Sequence, residues 1–362
     1  MTTVGAPEGG AQLLPAGPGR EAEAEPACDL HSLVAQLRAS RGFTHKRDIS
    51  SVMAQLGAPF GVTTLPNGDD CAVLPEPGGA AQLLFAIEGL VQDFVEAMPW
   101  FAGYSGVLVN LSDVAAMGGR ALAVVDALWA GDEATAHALL AGMRAACERY
   151  GVPLVGGHSN LQSQSGQLAV AVLGRAQRLI SSFAAQPGDR LLVAVDLRGH
   201  WQDPYPFWDA STAAPVARLR ADLELLPRLA EGGWVDAGKD ISMAGVLGST
   251  LMLLESSGVG ATLDLGCLPR PALLGVGHAA ASPSAQAAWL RWLCAFPSFG
   301  FVLSVRPQQV AAVLAQFAQH DIACADVGEV QAGSALLLTQ GAQRAQLWDH
   351  AELPFIAARR PS

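Results

Sequence analysis

Leu30, Leu33, Val34 and Leu37 recur at the three- and four-residue spacing of one helical face. Residues 29–40 (DLHSLVAQLRAS) are therefore predicted as an amphipathic helix, with Asp29 placed to cap it. GFTHKRDISSVMAQLG then brings a local basic cluster, His45, Lys46 and Arg47, and a second short helix. Strand-like and helix-like patterns alternate after that. AQLLFAIE (81–88), GVLVNLS (106–112), ALAVVDALW (121–129) and QLAVAVLG (167–174) read as strands. DEATAHALLAGMRAACERYG (132–151) reads as a long helix stopped by Gly151, and VPLVGG as a short buried strand running into a turn.

PGDR at 187–190 is a turn signal between two apolar runs, and a domain boundary is placed there. The pattern restarts with the strand RLLVAVDL (190–197). A Trp/Pro-rich loop (HWQDPYPFWD, 200–209) and a helix near 213–230 follow. KDISMAGVLGSTLMLLESSG (239–258) reads as a capped helix with a glycine stop. VGATLDL, FGFVLSV, CADVGEV and SALLLT read as strands, with helices near 283–294 and 307–319. The expected organisation is a disordered tail (1–27), a first domain (28–186), a second domain (187–350) and a short tail (351–362). Both domains mix sheet and helix.

Composition narrows the classes. Hydrophobic residues make up 51% of the 362 and charged ones 15%, which excludes a disordered chain and allows a large core. Acids outnumber bases 33 to 22, which argues against nucleic-acid or anionic-membrane partners. A phosphorylated small molecule stays open, because a divalent cation can hold it against carboxylates. The six cysteines form no CxxC pair and read as reduced and cytoplasmic; a catalytic thiol would be best placed at Cys71. No targeting segment or apolar run long enough to span a membrane is expected.

Polar clusters gather at predicted element ends: Gly68-Asp69-Asp70, Glu88, Asn110 to Asp113, Gly156-Gly157-His158-Ser159, and Lys239-Asp240-Ile241-Ser242. Such ends present ligands from a rigid scaffold, and helix starts offer free N–H groups to phosphate. Each cluster also has an ordinary reading. Asp69 and Asp70 follow a turn signal, Asp113 and Asp240 suit helix caps, and paired glycines suit a tight turn. Asp113 is expected where a strand meets a helix. In the 200–209 loop, Trp201, Tyr205, Phe207 and Trp208 either stack on a ligand ring or cover a core.

Taken in order, NGDDCAVL, a strand ending in an acid, VEAMPWF, VNLSDVAAMGG, VPLVGGHSN and KDIS resemble the aminoimidazole ribonucleotide (AIR) synthetase superfamily. That group includes thiamine-monophosphate kinase, selenophosphate synthetase and formylglycinamidine ribonucleotide synthase. The resemblance runs from about residue 45 to 345, and VNLSDVAAMGG matches the kinase branch closely. The whole pattern looks most like the uncharacterised AIR synthase-related subfamily. Three positions depart from the kinase pattern. His158 stands where an Asp usually follows the paired glycines. Met243 replaces the second Asp of the DISDG motif, and Glu88 replaces an Asp.

The resemblance implies a two-domain α+β, AIR synthase-like (PurM-like) fold. Its N-terminal sheet would form a barrel with a second subunit, and its C-terminal domain would be a separate α/β layer. It implies ATP and Mg2+ as cofactors, with Asp69, Asp70, Glu88, Asp113 and Asp240 as metal-holding carboxylates. Lys46, Arg47, Asn110, Ser112, Gly156, Gly157 and His158 become candidate nucleotide or substrate contacts. The implied activity is phosphorylation or activation of an oxygen on a small-molecule substrate by a homodimer. The alternative is a non-catalytic nucleotide- or metabolite-binding subunit.

Overall fold

A computed structural model describes residues 29–56, 65–274 and 283–358; the expected leading tail, 1–27, lies outside them. The first half runs α1 (Leu30–Ala39), α2 (Arg41–Leu56), β1 (Ala72–Pro75), β2 (Gln82–Leu90), α3 (Gln92–Ala97), α4 (Pro99–Ala116), β3 (Arg120–Trp129), α5 (Glu133–Tyr150), β4 (Leu154–Asn160) and β5 (Gln167–Ala176). The second runs β6 (Arg190–Val195), β7 (His200–Trp201), β8 (Phe207–Asp209), α6 (Val216–Leu223), α7 (Leu225–Glu231), β9 (Ala237–Asp240), α8 (Gly245–Ser257) and β10 (Gly260–Asp264). It continues with α9 (Pro283–Leu293), β11 (Phe296–Pro297), β12 (Gly300–Val305), α10 (Val310–Ala318), β13 (Ala323–Gln331), β14 (Ala335–Gln340) and β15 (Gln343–Asp349).

The first sheet has the order β1-β2-β5-β3-β4. Its pairs are antiparallel except β3–β4, which α5 joins by a crossover. The second sheet has the order β15-β14-β10-β13-β6-β12-β9, and a small sheet joins β11, β8 and β7. Each larger sheet carries its own core cluster, and both halves are α+β as expected.

Residues 106–112, expected as a strand, lie in helix α4. A continuous apolar run does not separate a buried strand from a buried helix. Here α4 is covered by the sheet on one side and α5 on the other, so it shows no polar face. Two glycines set that approach. A Cβ on Gly103 would lie 2.0 Å from the Leu139 carbonyl oxygen, and one on Gly142 would lie 1.9 Å from that of Trp100. Pro99 opens the helix, and Gly118 (φ +74°) closes it with its N–H on the Ala115 carbonyl at 2.8 Å.

Other segments differ from expectation: the 200–209 loop contains β7 and β8, and the helix expected near 213–230 is split into α6 and α7. Lys239 and Asp240 end strand β9, paired with Val302 and Phe301, and the helix starts only at Gly245. The predicted buried strand VPLVGG extends to Asn160 as the exposed edge strand β4, with Val155 61% exposed. Residues 351–358, expected as part of a tail, fold onto the core. Phe355, Ile356 and Ala358 are buried, and Glu255 accepts the N–H groups of Phe355, Ile356 and Ala357 at 3.0, 2.7 and 3.2 Å. At the other end, α1 precedes the first sheet in sequence but packs on the second. Leu33, Leu37 and Phe43 share a core with Val193, Trp348 and Phe355.

Candidate functional site

Strand alternation places Glu88. Leu84 and Ala86 of β2 face the core beneath α4, and Glu88 continues that row beyond the helix, where water reaches it. On α4, Asn110 sits one turn before Asp113. Its amide donates to the Gly106 carbonyl at 2.7 Å and the Val170 carbonyl at 2.9 Å, which fastens the helix to β5. Asp113 is thereby presented, 6% exposed, from the interior of a helix rather than from a strand-to-helix junction. Asp240 arrives at the end of β9 from the second sheet, and Asp70 from the loop before β1.

These elements bring carboxylate oxygens of Asp70, Asp113 and Asp240 within 4.8 Å of one another. Lys239 joins them. Its ammonium bonds Asp70 Oδ1, while Asp70 Oδ2 accepts the Asp240 N–H at 3.3 Å. The crowding shows in the protonation equilibria. Burial raises the Asp113 carboxyl pKa well above the usual range, and Asp240, Glu88 and Asp70 add to it. Burial pushes Asp240 up to about 7, Asp70 adds to the shift, and Lys239 and Lys46 oppose it. Although Glu88 is open to water on one side, desolvation by the groups packed around it also raises its pKa, against the pull of Lys46. Burial works against the charge on Lys239, but Asp70, Asp240 and Asp69 outweigh it and raise its pKa.

The expected site residues separate into groups. Asp69 turns away from the three acids and is held by Ser181 Oγ at 2.6 Å, Ser182 Oγ at 2.7 Å and the Ser182 N–H at 3.1 Å. Lys46 lies within electrostatic reach of Glu88 and Asp240. Arg47 stacks over the Trp348 ring, 5.7 Å from its centroid, beside Thr44 and Leu353. His158 is exposed on β4, its ring 6.1 Å from that of Trp129, and is not one of the three clustered ligands. Gly156 and Gly157 lie on the same strand; a Cβ on Gly157 would meet Asp126 Oδ1 at 2.2 Å. Cys71 is buried beside the acids, and burial pushes its thiol well up, so it is no ready nucleophile.

Next to the acids opens a cleft of about 100 Å³ between the two halves. Ser112, Glu88 and Met243 line it on the acid side. Phe94, Phe101, Phe207 and Phe296 form an aromatic wall, with the Phe94 and Phe207 centroids 4.9 Å apart. The 200–209 loop is thus divided. Phe207 and Trp208 face the cleft, while Trp201 packs edge-on against Trp208 and Trp292 under the Arg291 guanidinium. The sequence pointed to Phe207 but not to Phe94, Phe101 and Phe296 as its partners in this wall, nor to the role of Lys239. Phe94 gave no signal beyond apolar character, Phe101 stood only as the end of VEAMPWF, and Lys239 was visible beside Asp240.

The AIR synthase related protein N-terminal domain model matches residues 68–176, and the C-terminal domain model matches 186–339. An uncharacterized protein of Synechocystis, sll0787, is 42% identical over 329 residues, covering 90% of this chain and 98% of that protein. Thiamine-monophosphate kinase of Synechococcus elongatus is 31% identical over 229 residues, covering 57% of this chain and 68% of the kinase. Among solved structures, T. maritima PurL complexed with ATP superposes with a TM-score of 0.66 at 18% identity. That match covers 92% of this chain, which spans about half (53%) of the PurL chain. Among the described residues no helix is long and apolar enough to cross a membrane.

Proposed function

Because the chain belongs to the AIR synthase-related family, we propose that it is an ATP- and Mg2+-dependent enzyme that phosphorylates or otherwise activates an oxygen of a small metabolite. The convergence of Asp70, Asp113 and Asp240 carries this reading. Three carboxylates offer the hard oxygen donors that Mg2+ takes, and leave room for water and phosphate oxygens. Mg2+ bound there supplies charge neutralisation for a polyphosphate, the main demand of phosphoryl transfer. Asp113 and Asp240 are the freest of the three, since Lys239 already engages Asp70. Lys46 is placed to meet phosphate oxygens beside them. The kinase relative and the ATP-bound PurL support the same direction.

The site works in a homodimer in this reading. Phe85 and Ile87 of β2, Leu122 and Val125 of β3, Val155 of β4 and Leu173 of β5 are all at least 38% exposed. The register aligns Phe85 with Leu173 and Ile87 with Ala171, so the apolar stripe lies on the sheet face opposite α4. A stripe of this kind supports an interface between two copies. A reducing, cytoplasmic setting fits the five described cysteines, all free thiols.

Met243 favours a second reading, a non-catalytic nucleotide-binding subunit, because it puts a thioether where the kinase pattern has an acid. Titration calorimetry of ATP, with and without Mg2+, on the wild type and Asp113→Asn separates the two. Mg2+-dependent binding that is lost in the variant supports the enzyme reading. Binding indifferent to both supports the second, and no binding to the folded wild type removes the nucleotide site altogether.

A further inference from the structure

The cleft beside the three acids has a character that the proposed activity does not dictate. Of its described lining residues, only Glu88 and Asp209 carry charge, and none is Lys or Arg. Asp209 is spent on internal donors: its carboxylate accepts the Ser211 N–H at 2.8 Å, the Thr212 N–H at 3.0 Å and the Gln202 amide at 3.1 Å. Glu88 is thus the one charged lining group free to meet a ligand. Two lysines lie near the cleft without lining it, and Lys46 is within electrostatic reach of Glu88. Lys239 rests on Asp70, and Lys46 faces the acids without lining the cleft.

Apart from Ser105, Ser112 and Ser298, the remaining side chains of the walls are apolar. Phe94 meets Phe101, Phe207 and Tyr205 edge to face with centroids 4.9 to 5.9 Å apart, and Phe207 meets Phe296 at 6.1 Å. Such walls favour the face or edge of a flat ring. Met243 adds a polarizable thioether at the junction with the acids, suited to an aromatic edge. A phosphate dianion among the aromatic walls would find no cation on them and an environment that penalises an unpaired charge.

We infer that this cleft seats the acceptor, and that the acceptor is a small, flat, aromatic or unsaturated ring compound bearing a hydroxyl or comparable oxygen and no phosphate group. The inference deepens the phosphotransfer reading, and rests on it only in calling the occupant an acceptor. The ring lies against Phe94, Phe207 and Met243, with its oxygen at the Glu88 and Ser112 end, nearest the acids.

Benzyl alcohol and benzyl phosphate share one ring and differ in charge. Each is titrated into the full-length protein without ATP or Mg2+ and followed by ligand-observed NMR. Benzyl alcohol is expected to bind in roughly the millimolar range, as suits so few heavy atoms. Benzyl phosphate is expected to bind at least tenfold more weakly. Met243→Asp, which places a carboxylate on the wall, is expected to weaken the alcohol at least tenfold; Phe207→Ala serves if that variant does not fold. Equal or tighter binding of the phosphate, no binding of either ring, or unchanged binding in a folded variant overturns the inference. The ATP titration is independent of this readout. Ring binding without ATP binding would leave the aromatic cleft and remove the phosphotransfer reading; the reverse would do the opposite.

Discussion

The Lys239 ammonium rests on the Asp70 carboxylate, with the two side chains only 7% and 3% exposed. A cation supplied by the chain itself therefore sits among Asp69, Asp70 and Asp240. Removing one member of a buried pair leaves the other charged and uncompensated, at a cost of about 3–5 kcal/mol. Lys239→Met is predicted to destabilise the metal-free protein by that order in urea denaturation, and added Mg2+ is predicted to restore part of the loss. A variant as stable as the wild type without metal would show that Asp70 is not held by this contact.

Asp113→Asn is predicted to raise metal-free stability, because it relieves a crowded carboxylate. The same change is predicted to abolish the thermal shift caused by Mg2+-ATP. Melting curves with and without Mg2+-ATP test both halves; a destabilised apo variant would contradict the crowding.

The metal-free protein is predicted to lose stability as pH rises from about 4 to 7. Asp240 moves from 3.8 to about 7 on folding, so the folded state holds the extra proton across that window. The contribution is complete below the unfolded value and lost as pH passes the folded one. Asp113 and Glu88 shift the same way, while Lys239 stays charged throughout. Carboxylates held below their usual range, such as Asp132 and Asp349, change only at more acid pH. Denaturation midpoints at pH 5.5 and 8 check this. A rise between them without metal would refute it, and Mg2+ is expected to flatten the fall.

Truncation after Leu353 is predicted to destabilise the protein severely. It exposes the core seat of Phe355 and Ile356 and strands the fully buried Glu255 without three N–H donors. Glu255→Gln keeps the seat, and a loss of about 1–3 kcal/mol is expected. An unchanged melting temperature on truncation would mean the segment does not hold the core.

Ile87→Lys is predicted to shift the protein from dimer to monomer in sedimentation or light scattering, with its melting temperature little changed. Ile87 is 64% exposed on the sheet face away from α4, so the substitution disturbs an interface and not the core. A wild type that is already monomeric at micromolar concentration would end the dimer reading.

Local pattern made much of the fold readable. β2, β3, β5 and α5 fall where period and caps place them, down to Asp132 capping α5 and Gly151 closing it. Short-range signals were enough there because each element has one buried side. α4 has none to spare, so its apolar run looked like a strand. The 351–358 segment shows no period at all, and its anchor, Glu255, is 100 residues away.

By itself, the sequence determined which residues could do chemistry and in what order: acids at 69, 70, 88, 113 and 240, and a resemblance that tied them to nucleotide use. It determined the alternation of strand and helix through local steric and hydrophobic preference. Only the tertiary structure decided which acids meet. It turned Asp69 toward Ser181 and Ser182, and set Asp70, Asp113 and Asp240 together with Lys239 between them. It left His158 on an open edge and built an aromatic wall from Phe94, Phe101, Phe207 and Phe296. The reason is range. Turn, cap and period act over a few residues, whereas the site joins a loop, a helix and two sheets across 170 positions, from Asp70 to Asp240.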